Sequence, residues 1–62
     1  MNNKIFSNIH SASYYFKSVS YNYVAYLIHE RDSNTYIVCN QDLYEEYSQD
    51  EDMNVALIRM SY

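Results

Sequence analysis

The sequence predicts an α+β fold: an N-terminal amphipathic helix, an antiparallel β-hairpin, a short acidic helix and a C-terminal third strand. Three observations predict it. Apolar residues recur at helical spacing near the N-terminus, and two β-branched and aromatic runs then flank a short polar loop. An acidic segment follows and precedes a last apolar run. The chain has no internal repeat or linker, so we expect a single domain over residues 1–62.

The first helix is predicted over residues 3–19. Its apolar residues follow one another in steps of three or four, which places them on one face of a helix. They are Ile5, Ile9, Ala12, Phe16 and Val19, with Phe6 and Tyr15 beside them. Asn2 or Asn3 is expected to cap the start, and Lys17 lies where a cation favours the C-terminus.

The hairpin is predicted from residues 21–28 and 35–39, which have strand composition. Residues 31–34 between them (Arg-Asp-Ser-Asn) form a polar turn, in which Asp and Asn accept left-handed geometry. The first strand is apolar on both faces: Val24, Tyr26 and Ile28 on one, Tyr23, Ala25 and Leu27 on the other. Such a strand needs two covering layers. The first helix can cover one face, and the second helix is too short to cover the other fully, so we expect another chain to cover it.

The acidic segment predicts a short helix. Asp42 and Glu45 match a capping box, and the helix should continue to Tyr47 or Ser48. Asp50, Glu51 and Asp52 would end it, because negative charges oppose the helix dipole at a C-terminus. The last run, residues 55–60, is compatible with a helix, but we interpret it as the third strand.

The small size of the chain favours self-association. A domain of about 60 residues buries only roughly 60% of the surface that its unfolded chain exposes. Cys39 is the only cysteine, so an internal disulfide is excluded. We therefore expect a homodimer or a higher homo-oligomer. The predicted core or oligomer contacts are Ile5, Ile9, Phe16, Val24, Tyr26 and Ile28.

Several classes of function are disfavoured by composition. A net charge of −4, with only four scattered Lys and Arg residues, argues against direct nucleic-acid binding. His10, His29 and Cys39 lie far apart in the sequence, and the Asp50–Asp52 run lacks the glycine of a calcium loop. We expect no catalytic site, metal or cofactor. No apolar run suits a signal peptide or a membrane span, so the expected location is the cytoplasm.

The acidic segment is the candidate site. It holds six of the eight acidic residues, with two tyrosines among them. One interpretation is a solvated surface that keeps the protein soluble. The other is a surface that docks on a basic groove of a protein, such as one that binds nucleic acid, with aromatic side chains as binding hot spots. Under this interpretation the tyrosines lie on the outer side of the helix. The predicted partner-binding residues are Tyr44, Glu45, Glu46, Tyr47, Asp50, Glu51 and Asp52.

In size, acidity and tyrosine content the chain resembles small phage proteins that inhibit host defence or repair enzymes, including short dimeric inhibitors of uracil-DNA glycosylase. The resemblance implies a non-enzymatic inhibitor that binds a host protein in the host cytoplasm. The alternative is a small structural or regulatory subunit that docks by its sheet face into a larger assembly.

Overall fold

The computed structural model describes residues 3–61, which form two helices and one four-stranded antiparallel sheet. The sheet order is β1-β3-β2-β4, so the hairpin lies at the centre and β1 and β4 form the two edges. The predicted α+β class is confirmed. In chain order the elements are β1 (Lys4–Phe6), α1 (Ile9–Ser20), β2 (Tyr26–Glu30), β3 (Thr35–Cys39), α2 (Gln41–Gln49) and β4 (Val55–Met60).

The hairpin is confirmed, although its first strand begins later than predicted. β2 and β3 pair from Tyr26 opposite Cys39 to Glu30 opposite Thr35. In the four-residue loop, Asn34 has a φ of 53°, the left-handed geometry that Asn tolerates best after Gly. The buried carboxylate of Glu30 also holds the loop, because it accepts hydrogen bonds from the backbone N–H groups of Asp32 (3.0 Å) and Ser33 (2.9 Å).

The predicted helix start at residue 3 is wrong. Residues 4–6 form β1 and pair with β3, and α1 begins only at Ile9. The cap is Asn8, whose side chain accepts a hydrogen bond from the backbone N–H of Ser11 at 2.8 Å. Asn3 instead accepts a hydrogen bond from the backbone N–H of Asn40 at 3.1 Å, and Asn2 lies outside the described residues.

Each face of the sheet is covered by one helix of this chain. On the α1 face, the buried residues are Ala12, Phe16, Ala25, Leu27 and Val38. On the α2 face they are Tyr26, Ile28, Ile37 and Cys39, and the α2 side chains packed against them are Leu43, Tyr44 and Tyr47. The predicted alternation along the first strand therefore holds for residues 25–28. The second covering layer is α2 of this chain.

Two of the residues predicted as core or oligomer contacts are exposed in the single chain. Phe16, Tyr26 and Ile28 are buried and Ile9 packs against the core, as expected. Ile5, however, is 64% exposed and Val24 is 48% exposed. Ile5 lies opposite Ile37 on the edge strand β1, outside the α2 cluster, and Val24 precedes β2.

The predicted short helix and third strand are both present. α2 is capped by Asn40, whose side chain accepts a hydrogen bond from the N–H of Leu43 at 3.0 Å, so the predicted capping box of Asp42 and Glu45 is wrong. Glu45 accepts a hydrogen bond from the Gln41 side chain instead. β4 pairs with β2 and contains an irregularity between the partners of Leu27 and Ile28. Among residues 3–61, no helix has the length and apolar character to cross a membrane.

Candidate interaction surfaces

The acidic segment forms one exposed surface on α2 and the turn after it. We call it the acidic surface and define it as Asp42, Glu45, Glu46, Asp50, Glu51 and Asp52, all of which are exposed. Asp50 ends the helix, and its carboxylate accepts a hydrogen bond from the backbone N–H of Asp52 at 2.9 Å. These local bonds orient the turn and leave most carboxylate oxygens facing solvent.

The two tyrosines of the segment do not lie on its outer side, so that expectation is wrong. Tyr44 stacks on Tyr26 with ring centroids 4.5 Å apart and ring planes within 3°. Tyr47 packs against the same buried cluster. The reason is helical spacing: residues 43, 44 and 47 share one face of α2, and this face meets the sheet. The carboxylates are therefore presented without the predicted aromatic partners.

The sheet separates the charges of the chain. Residues 1–29 contain Lys4 and Lys17 but no acidic residue, whereas residues 32–58 contain no Lys or Arg. Arg59 reaches the α1 face, where its guanidinium lies 5.5 Å from the centre of the Phe16 ring. All six carboxylates of the acidic surface belong to α2 and its turn, on the opposite face. Although the net charge is −4, the α2 side of the sheet, the acidic layer, carries these six carboxylates. The α1 side, the cationic layer, carries Lys4, Lys17 and Arg59.

The cationic layer contains a groove between α1 and β1. We call it the tyrosine groove and define it by its lining residues, Phe6, His10, Ser11, Tyr14, Tyr15 and Ser18; its volume is about 530 Å³. The rings of Phe6 and Tyr15 lie 5.6 Å apart at its base, and Lys4 Nζ lies 4.9 Å from the centre of the Tyr15 ring. A second concavity of about 330 Å³ is lined by Tyr14, Lys17, Ser18 and Tyr21; because it shares Tyr14 and Ser18 with the first, we count it as part of the tyrosine groove.

Sequence reasoning missed this groove although a signal for it was present. Tyr14 and Tyr21 are 81% and 88% exposed, more than any other large hydrophobic side chain of the described residues. With His10 and Lys17 they form a second helical stripe, in steps of four, three and four, opposite the core stripe. Large aromatic residues on the outward face of a helix are unusual in a solvated helix and are typical of recognition surfaces.

The residues considered as metal ligands or as a nucleophile, His10, His29 and Cys39, do not form a common site in the fold. Cys39 is buried on the α2 face, and burial raises the pKa of its thiol to about 11, which keeps it protonated. His29 stacks on Tyr36 at 4.5 Å on the α1 face and bonds Asn34, while His10 lines the tyrosine groove. No group of three or more His, Cys, Asp or Glu within residues 3–61 has a geometry that could hold a metal ion.

Comparison with protein-family models, with curated proteins and with solved structures finds no match for this chain.

Proposed function

We propose that this chain is a non-enzymatic protein-binding inhibitor, of the kind that phages direct at host defence or nucleic-acid-processing proteins. It docks on a basic surface of its partner through the acidic surface. The observation that carries the proposal is the separation of charge across the sheet. Lys4, Lys17 and Arg59 lie on the other layer, and the fourth cation, Arg31, is in the hairpin loop with its guanidinium bonded to Asn54 at 3.2 Å. No Lys or Arg belongs to α2 itself, so the six carboxylates present a negative field.

The charge distribution supports docking on a cationic groove more than it supports a solubility role alone. A solubilising surface works with both signs interspersed. Here the signs are segregated, which favours a partner of opposite charge and disfavours like-charged ones. Rim carboxylates of this kind act chiefly on the association rate, which falls as salt screens the field over a Debye length of about 8 Å.

Tyr44 and Tyr47 have a different role in this proposal from the one expected from the sequence. Their rings pack α2 against the sheet and so fix the carboxylates in place. Binding through the acidic surface then depends on charge and polar contacts. The affinity should fall steeply with salt, since ionic contacts at an exposed surface are strongly screened.

The experiment compares charge-neutralised variants. The immobilised protein is used to capture partners from a bacterial extract, and the captured protein is purified for kinetic measurement across a salt series. The quadruple variant Glu45→Gln/Glu46→Gln/Asp50→Asn/Glu51→Gln should associate more slowly and lose most of the salt dependence. The control Lys4→Gln/Lys17→Gln alters the other layer and should bind like the parent.

Equal binding of the parent and the quadruple variant at every salt concentration would contradict the proposal and leave the acidic surface as a solubility feature. The alternative of a subunit that docks by its sheet face has less support. Both faces carry a helix of this chain, and the exposed large apolar side chains of the sheet are confined to its outer strands, Ile5 on β1 and Leu57 and Ile58 on β4.

A further inference from the structure

We infer that the tyrosine groove receives the acidic surface of a second copy of this chain, so that the protein associates head to tail. This contact goes beyond the proposed function, because it forms between copies of this chain and needs no host protein. It also assigns a binding role to a second surface, which lies on α1. It also has a consequence for that function: a copy seated on the acidic surface covers the residues that would bind the partner.

The chemistry of the groove points to an acidic occupant. It combines exposed aromatic rings with Lys4, Lys17 and His10, and no Asp or Glu occurs in the first 29 residues. Tyrosine rings flanked by cations suit a partner that offers carboxylates and hydrogen-bond acceptors. Within residues 3–61 the acidic surface is the one region of that character, and every copy of the chain carries it.

The net charge does not prevent the contact. Two copies each carry −4, but the shortest dimension of the molecule is 17 Å, about twice the Debye length of about 8 Å at physiological salt. The acidic surface of the receiving copy lies on the far side of its own sheet. The approaching carboxylates therefore interact mainly with the cationic layer of the receiving copy. Repulsion from the acidic surface of the receiving copy is screened by salt over that distance.

The accessible surface of the chain is large enough for an interface of standard size. A standard interface buries about 800 Å² per partner. The chain exposes 4262 Å², so such a contact needs roughly a fifth of its surface. Because the two contacting surfaces lie on opposite faces of the sheet, the contact is heterologous and does not close as a two-fold dimer. Copies would add as a stack.

The test uses two variants that each lose one half of the contact. Tyr14→Ala/Lys17→Glu/Tyr21→Ala alters the groove, and Glu46→Lys alters the acidic surface. All four positions are exposed, so the fold should be retained, which circular dichroism checks. Asp32→Lys is the matched control for Glu46→Lys, since it changes the net charge equally and lies in the hairpin loop.

Sedimentation velocity in buffer of physiological ionic strength should show association of the parent and of the Asp32→Lys control that rises with protein concentration. Each of the other two variants should associate about tenfold or more weakly. An equimolar mixture of these two should form a complex of two chains and stop there, because the mixture retains one intact groove and one intact acidic surface per pair.

Three results would overturn the inference. The first is a parent that stays at 7.5 kDa at every concentration at physiological ionic strength. The second is association that all variants retain, which would place the interface elsewhere, such as the β4 edge. The third is a monomeric parent that binds a fluorescent single-stranded oligonucleotide through the groove, which would make nucleic acid the occupant. Self-association is measured on the purified protein alone, so its failure is separate from failure to bind a partner protein.

Discussion

Removing the Tyr44 ring should destabilise the whole fold, and the size of the effect follows from its contacts. A stacked aromatic pair contributes about 0.5–1.5 kcal/mol beyond the area that it buries. Replacement of a fully buried aromatic residue by alanine costs about 3–5 kcal/mol. Tyr44 is half-buried and stacked at 4.5 Å on Tyr26, so we expect Tyr44→Ala to cost about 2 kcal/mol. A core of this size supplies roughly 3–5 kcal/mol, so about half of the stability is at risk.

Urea unfolding followed by far-ultraviolet circular dichroism measures this loss. With a slope of about 1 kcal/mol per molar urea for a small domain, the midpoint should fall by about 2 M. Tyr44→Phe keeps the ring and should stay within about 0.5 kcal/mol of the parent. Tyr14→Ala removes an exposed ring of the same kind and should also have a small effect. If Tyr44→Ala unfolds at the same urea concentration as Tyr14→Ala, the stack on Tyr26 does not hold α2 to the sheet.

Three further predictions concern the hairpin and the core. Asn34→Val should lower the free energy of unfolding by about 1–2 kcal/mol in urea titrations, because a β-branched residue is strained at a φ of 53°, and Asn34→Gly should cost less. Hydrogen bonds from the Ser33 hydroxyl, then from the backbone N–H groups of Ser33 and Asp32, hold the pKa of Glu30 below its ordinary value. The stability that they add is present above the ordinary carboxyl pKa and is lost as the pH falls through the folded-state pKa, so thermal melts of Glu30→Gln should vary less with acid pH. Cys39, buried with its pKa raised to about 11, should react with a thiol reagent only as fast as the chain opens, and rapidly in urea; fast reaction of the folded protein would contradict its burial.

The elements set by local signals could be predicted from the sequence. The hairpin follows from two strand-like runs around a polar loop, and the loop contains the Asn that its left-handed position requires. The alternation of Tyr26 and Ile28 against Ala25 and Leu27 follows from the two-residue period of a strand. These features need no knowledge of distant residues.

β1 could not be recognised in the same way. Its three residues, Lys4–Phe6, fit the helical stripe of α1 as well as they fit a strand, and they are held by pairing with residues of β3 that lie 30 to 34 positions later. Tertiary structure also determines which asparagine caps the N-terminus of α1. Asn3 and Asn8 both suit a helix start, but Asn3 is engaged by the backbone of Asn40, so the helix begins after Asn8.

The orientation of α2 was within reach of sequence reasoning. Leu43, Tyr44 and Tyr47 lie on one helical face, and the remaining positions of the helix are polar or charged. The expectation of outward tyrosines treated them as partners of the neighbouring carboxylates. A nine-residue helix that covers one face of a sheet needs all of its large apolar side chains for that purpose.

The topology converts an asymmetry along the sequence into an asymmetry between two surfaces. The cationic helix α1 precedes the hairpin and the acidic helix α2 follows it, and the two helices pack on opposite faces of the sheet that the hairpin forms. Because Leu43, Tyr44 and Tyr47 are committed to the core, the acidic layer can steer and select a partner but offers little apolar area to hold it. The exposed rings of Tyr14 and Tyr21 lie on the other layer. Tight binding of a partner protein would therefore require one that reaches around the edge of the sheet to these rings, whereas a second copy whose groove holds the acidic surface would compete with that partner.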